Sequence, residues 1–212
     1  MASVARRIAV FLLGVAIMAF GVAMSVRADL GTSPISAFPA VMSHATTWTV
    51  GQVTIAMNVT FVLLQILILR RRYQPAQLVQ IPIAVVFGLL CDLALWLTPW
   101  VQPTNYLVQW LWTLLAAALV GIGVWVEVQP RLTLLPGEGL VLALSQATGA
   151  AFSTLKIAFD ATLVTISAVL SLILMARLAG VREGTIAAAF LVGLTVKACN
   201  RLAARVRGGR GE

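Results

Sequence analysis

The sequence predicts an all-α polytopic membrane protein with six transmembrane helices and two re-entrant half-helices, built as a 3+3 inverted repeat. Three observations predict it. Six apolar stretches are each long enough to cross a hydrocarbon core, which takes about 20 residues of helix. Only 10% of the 212 residues are charged and 60% are hydrophobic, with a mean hydropathy of +0.98; a soluble domain of this size cannot hide so much apolar surface. The second half of the chain also repeats the residue pattern of the first.

The predicted spans are 7–26, 51–69, 78–98, 106–126, 153–176 and 184–200. Arg6 and Arg7 precede the first, which reads as a span rather than a cleaved leader because it has a counterpart later in the chain. Arg70, Arg71 and Arg72 follow the second. Residues 99–105 carry no charge, and Arg201, Arg205, Arg207 and Arg210 follow the sixth. Cytoplasmic termini put all these arginines on one side, with Arg131; Arg177 and Arg182 run against that assignment. Trp96, Trp100, Tyr106, Trp110 and Trp112 crowd the charge-free loop, as an interfacial aromatic belt would.

Two shorter segments, 33–47 and 136–149, follow the first and fourth spans. They are too short to cross and read as half-helices that enter and turn back, a backbone tolerated at depth only inside protein or beside a water-lined cavity. Full crossing by one of them would make the repeats parallel or separate the termini. The repeat itself is seen by offset. At 100 residues Gly21 meets Gly121. At 102, Pro34 meets Pro136, Ser43 meets Ser145, Ile55 meets Ile157 and Asn58 meets Asp160. At 105, Gly88 meets Gly193 and Asp92 meets Lys197. The expected units are 1–104 and 105–200, followed by a basic tail over 201–212. Three spans per unit is odd, so the second unit enters from the opposite side and the two broken elements approach one another.

The motif Ala28-Asp29-Leu30-Gly31-Thr32-Ser33-Pro34 with Thr49-Val50-Gly51, and the later Pro136-Gly137-Glu138-Gly139, Ser145, Lys156, Asp160, Gly184-Thr185-Ile186 and Gly193, resemble the YczE/YitT-type family of bacterial membrane proteins, the YczE-like branch most. The resemblance spans nearly the whole chain. It implies a multi-span inner-membrane protein related to transporters, without a substrate. Thr54 and Asn58 stand where the second half has Lys156 and Asp160, so the expected site is asymmetric.

Lys156 and Asp160 are four apart and share a helix face. Each bare ion at depth costs about 2.5–3.5 kcal/mol on insertion scales, so they read either as a structural ion pair or as part of a substrate site with Glu138 and Asn58. Ser33, Ser36, Gly137, Gly139 and Ser145 complete that expected site: the serines and prolines suit helix starts with exposed N–H groups, and the glycines admit close approach. Asp92 and Lys197 are expected to pair across the two halves, as a packing contact or a gate, unless Lys197 extends to the surface. Arg27, Asp29 and Glu127 flank the motifs as interfacial charges or gates. Gly14, Gly21, Gly121 and Gly123 suit helix packing.

Several classes are excluded. His44 is the sole histidine, and Cys91 and Cys199 lie far apart, so no metal site and no disulfide framework is expected. The net charge of +8 sits at span ends, which argues for bilayer contact and against nucleic acid. No catalytic set or phosphate-binding loop is present, so no enzyme and no cofactor is expected. The leading expectation is a secondary transporter of a small polar or charged metabolite. The alternative is a membrane-embedded binding or accessory subunit working with a partner such as an energising ATPase module. The run Ala19-Phe20-Gly21-Val22-Ala23 offers a small-residue face for such a partner or for a second copy.

Overall fold

A computed structural model describes residues 2–208. Residues 209–212 of the tail, Arg210 among them, lie outside the described residues. Among those described there are eight α-helices and no strand. They are α1 (Ala2–Ala28), α2 (Pro34–Ala45), α3 (Val50–Leu69), α4 (Gln80–Leu97), α5 (Tyr106–Val128), α6 (Pro136–Thr148), α7 (Phe152–Met175) and α8 (Glu183–Gly208). All but α2 and α6 are long and apolar enough to cross a membrane, which makes the chain a multi-pass membrane protein. α2 has 12 residues and α6 has 13. At 1.5 Å per residue each reaches about 18–20 Å, against about 30 Å of hydrocarbon.

The helix ends follow local chemistry. Thr49 caps α3 reciprocally: its Oγ1 accepts from the Gln52 N–H at 3.1 Å and its own N–H donates to Gln52 Oε1 at 3.0 Å. Asn105 caps α5 by accepting from the Val108 N–H at 3.0 Å. Both short helices start with Pro in the first turn, where a missing N–H costs nothing. Gly149 stops α6 in the left-handed region at φ 74°.

α1 and α5 form the centre, antiparallel and very close. Cβ atoms added at Gly14, Gly21 and Gly123 would meet the backbone of Glu127, Ala116 and Met18. Between apolar helices in lipid, close backbone approach of this kind supplies the attraction that water supplies elsewhere. Gly123→Val should therefore force α1 and α5 apart. We expect it to cost about 1–3 kcal/mol, read as earlier loss of the monodisperse species on heating in detergent. Gly193→Ala, whose Cβ would meet nothing within 4 Å, should leave thermal stability unchanged.

Around this pair α4 packs on α1 and α8 on α5, α7 packs on α2 and α3 on α6, and α3 packs on α2 and α7 on α6. Each contact in that series has a counterpart in the other half. The non-glycine residues with positive φ also fall into two matched pairs. Asp29 (φ 54°) and Arg131 (φ 51°) follow α1 and α5, and Arg70 (φ 46°) and Ala176 (φ 54°) follow α3 and α7. One contact has no counterpart: α3 packs extensively on α4, but α7 and α8 make no comparable interface.

The helices place the arginines at two ends. Arg7 donates to the Pro130 carbonyl at 2.6 Å, which joins the start of α1 to the end of α5. Asn200 accepts from Trp125 at 3.0 Å and brings the end of α8 to the same level. Gln65 donates to Gln80 at 3.0 Å and joins the end of α3 to the start of α4. This is the basic end, with Arg6, Arg7, Arg70 to Arg72, Arg131 and Arg201. At the opposite end Arg27 reaches the Leu95 carbonyl at 2.6 Å and Arg182 reaches the Asp29 carbonyl at 2.9 Å. Trp96 is 74% exposed there, and Trp100 stacks edge-on against Trp112 with centroids 5.5 Å apart.

Candidate functional site

A cavity of about 580 Å³ lies beneath the starts of both short helices. The two proline-led turns meet: a Cβ on Gly137 would overlap the Ile35 side chain. Six of the nine side chains expected to bind line this cavity, namely Ser33, Ser36, Asn58, Glu138, Lys156 and Asp160. They come from α2 and its cap, α3, α6 and α7, so tertiary packing brings them together.

The polar floor is partly self-satisfied. Lys156 Nζ donates to Asp160 Oδ1 at 2.7 Å and lies 5.7 Å from the Phe159 ring centroid. Ser33 Oγ donates to Ser36 Oγ at 2.9 Å; neither caps α2 through its side chain, contrary to the expectation for Ser33. Asn58 is 4% exposed and its amide N–H donates to the Thr54 carbonyl at 3.0 Å. Thr54 also lines the cavity and hydrogen-bonds back to the Val50 carbonyl at 2.7 Å. Glu138 stands in the first turn of α6. Among the described residues it has no basic partner within salt-bridge distance, since the ion pairs there are Lys156–Asp160 and Arg182–Glu183. The walls are apolar, with Met18, Val22, Met57, Phe87 and Val120 among them.

Three expected members lie elsewhere. Gly137 lets Ile35 pack and does not face the cavity. Gly139 packs on the amides of Gln65 and Gln80 and borders a separate cavity of about 260 Å³ near the basic end. Ser145 donates to the Ala150 carbonyl at 2.7 Å and closes the end of α6. Their side chains, or lack of one, serve local packing and capping.

The expected gate residues are also redistributed. Asp92 does not meet Lys197. Its carboxylate accepts from Thr49 Oγ1 at 2.6 Å and from the Gly51 N–H at 2.7 Å, clamping the start of α3 onto α4. Arg27 ties the end of α1 to the Leu95 carbonyl near the end of α4, and the Asp29 carbonyl, just after α1, accepts from Arg182. Glu127, expected at an interface, is 3% exposed, and its Oε1 has no hydrogen-bond partner. The absence of a side chain at Gly14 allows α1 to cover it. Cys91 and Cys199 are free thiols.

The missing α7–α8 interface opens the cavity on one side. In the first half Gly51 packs against Gly88, and Gly88 against Ile55. Their offset counterparts in the second half are Ser153, Gly193 and Ile157. Gly193 has open space around it and Ile157 is 71% exposed. Both Ile157 and Gly193 line the cavity, with Phe152 and Val196 toward the basic end. Ile55 and Gly88 recur at those offsets as Ile157 and Gly193, but only the first-half pair is packed together.

No curated protein and no solved structure matches the chain. A family model described as a family of unknown function, DUF6198, matches residues 5–201, nearly the whole length, and the chain belongs to that family.

Proposed function

We propose that this protein is a secondary transporter of a small polar or charged metabolite, with its substrate site in the cavity beneath α2 and α6. One observation carries the reading. Ile55, Gly51 and Gly88 are packed together, whereas Ile157 and Gly193 stand apart beside the cavity. An inverted repeat whose halves adopt different conformations has two equivalent states, reached by exchanging those conformations. In the present state the gap lies toward the basic end. With the positive-inside assignment that end, and both termini, are cytoplasmic in a bacterial inner membrane. The exchanged state closes α7 on α8 and opens α3 from α4 at the other face.

In this reading α2 and α6 are re-entrant and residues 1–104 and 105–200 are the two repeats. We infer the kinship with YczE/YitT-type proteins from the same motifs. Non-enzymatic action fits a floor made of one ion pair, one acid, hydroxyls and an amide. The test is a thermal-stabilisation screen of the purified protein against metabolites, followed by uptake of the stabilising compound into proteoliposomes. Uptake by the lone protein is expected, with Asp160→Asn and Glu138→Gln reaching the bilayer but failing to transport. Binding without uptake, together with co-purification of an ATPase module, would establish the accessory-subunit alternative instead.

A further inference from the structure

We propose that the cavity selects an organic monocation with an apolar body, held by Glu138. This rests on the reading of the cavity as a substrate site and adds the charge and shape of what it takes. The ionisable residues that line it are Glu138, Lys156 and Asp160. Lys156 and Asp160 neutralise one another at 2.7 Å. Glu138 is left over, with no basic partner among the described residues. A carboxylate facing a membrane-embedded cavity without a counter-charge is costly, and a ligand cation removes that cost on binding.

The remaining chemistry agrees in sign. The Asn58 side chain uses its N–H on Thr54 and leaves its amide oxygen as an acceptor, which suits an ammonium donor. The Lys156 cation is drawn toward Asp160 and the Phe159 ring and is not free for an anionic ligand. The walls of Met18, Val22, Met57, Phe87, Val120 and Val124 cover an apolar body, and Met and Phe side chains tolerate a cation against them better than aliphatic ones do.

The experiment uses the full chain in nanodiscs and three benzyl probes of similar size: benzylammonium, benzyl alcohol and phenylacetate. Calorimetric titration should show binding of the cation and none of the other two at matched concentration. Two substitutions then move affinity in opposite directions. E138Q removes the net negative charge and should weaken the cation by about tenfold or more, while K156M frees Asp160 and should tighten it by about tenfold. E138D keeps the charge and should recover part of the loss, which separates charge recognition from a folding defect. Tighter binding of phenylacetate than of the cation overturns the proposal, as do E138Q and K156M shifts of the same sign. Charge-dependent cation binding without uptake into liposomes would remove the transport reading and leave this one standing. Uptake of anions alone would do the reverse.

Discussion

A disulfide between cysteines placed at Ile157 and Gly193, in a background with Cys91→Ala and Cys199→Ala, should form under mild oxidant and stop uptake, and reduction should restore it. The physical basis is geometric. Two cysteines bridge only when their Cα atoms come within about 7 Å. The first-half counterparts meet closely enough for Ile55 to fill the space where a Gly88 Cβ would stand. In the second half Gly193 has no neighbour there and Ile157 is largely exposed. Cross-linking therefore requires α7 and α8 to adopt the arrangement of α3 and α4. It reports that movement without knowledge of the substrate. A substrate that binds both states equally leaves the cross-linking rate unchanged, and one that prefers the closed state raises it. If the two thiols never cross-link while each remains reactive toward a maleimide, the gap is a fixed feature and the exchange of conformations fails.

Much of this architecture was legible in the residues. Apolar runs located all six long helices, because span length is set by the bilayer and not by the neighbours, although α8 continues to Gly208, past the expected end at 200. Pro34 and Pro136 marked the starts of the two short helices for a local reason. The cavity floor was legible too, since charged and amide side chains in an apolar segment have few other places to be. Tertiary facts were hidden. Asp92 looked like half of a cross-repeat pair because its offset partner is Lys197, yet its carboxylate is satisfied by Thr49 and Gly51 only once α4 lies beside α3. Glu127 looked interfacial because it stands at a span end, and only the close approach of α1 at Gly14 buries it. The open gap was least legible of all. Ile55 and Ile157, and Gly88 and Gly193, are the same letters, so these two pairs are equally compatible with either half being closed.

Asp92→Ala should speed the Ile157–Gly193 cross-link and impair uptake. Where the halves differ in sequence, they differ in this clamp: Thr49, Gly51 and Asp92 in the first half correspond to Ala151, Ser153 and Lys197 in the second. A hydroxyl and a backbone N–H donate to one carboxylate at 2.6 and 2.7 Å. The second half has neither that hydroxyl nor that acid. The clamp therefore biases the equilibrium toward a closed α3–α4 face and an open α7–α8 face. Hydrogen bonds to a charged group contribute about 1.5–3 kcal/mol each when buried. Thr49 is exposed, so about 2 kcal/mol for the two together is a suitable scale, or roughly thirtyfold in the equilibrium constant. Removing it should populate the exchanged state and raise the cross-linking rate by a comparable factor, with Asp92→Asn intermediate because its amide oxygen still accepts one bond. A clamp that only capped α3 predicts a different result. Thermal stability would fall, as for loss of any N-terminal cap, and the cross-linking rate would not change. The two measurements on one variant thus separate a gate from a cap.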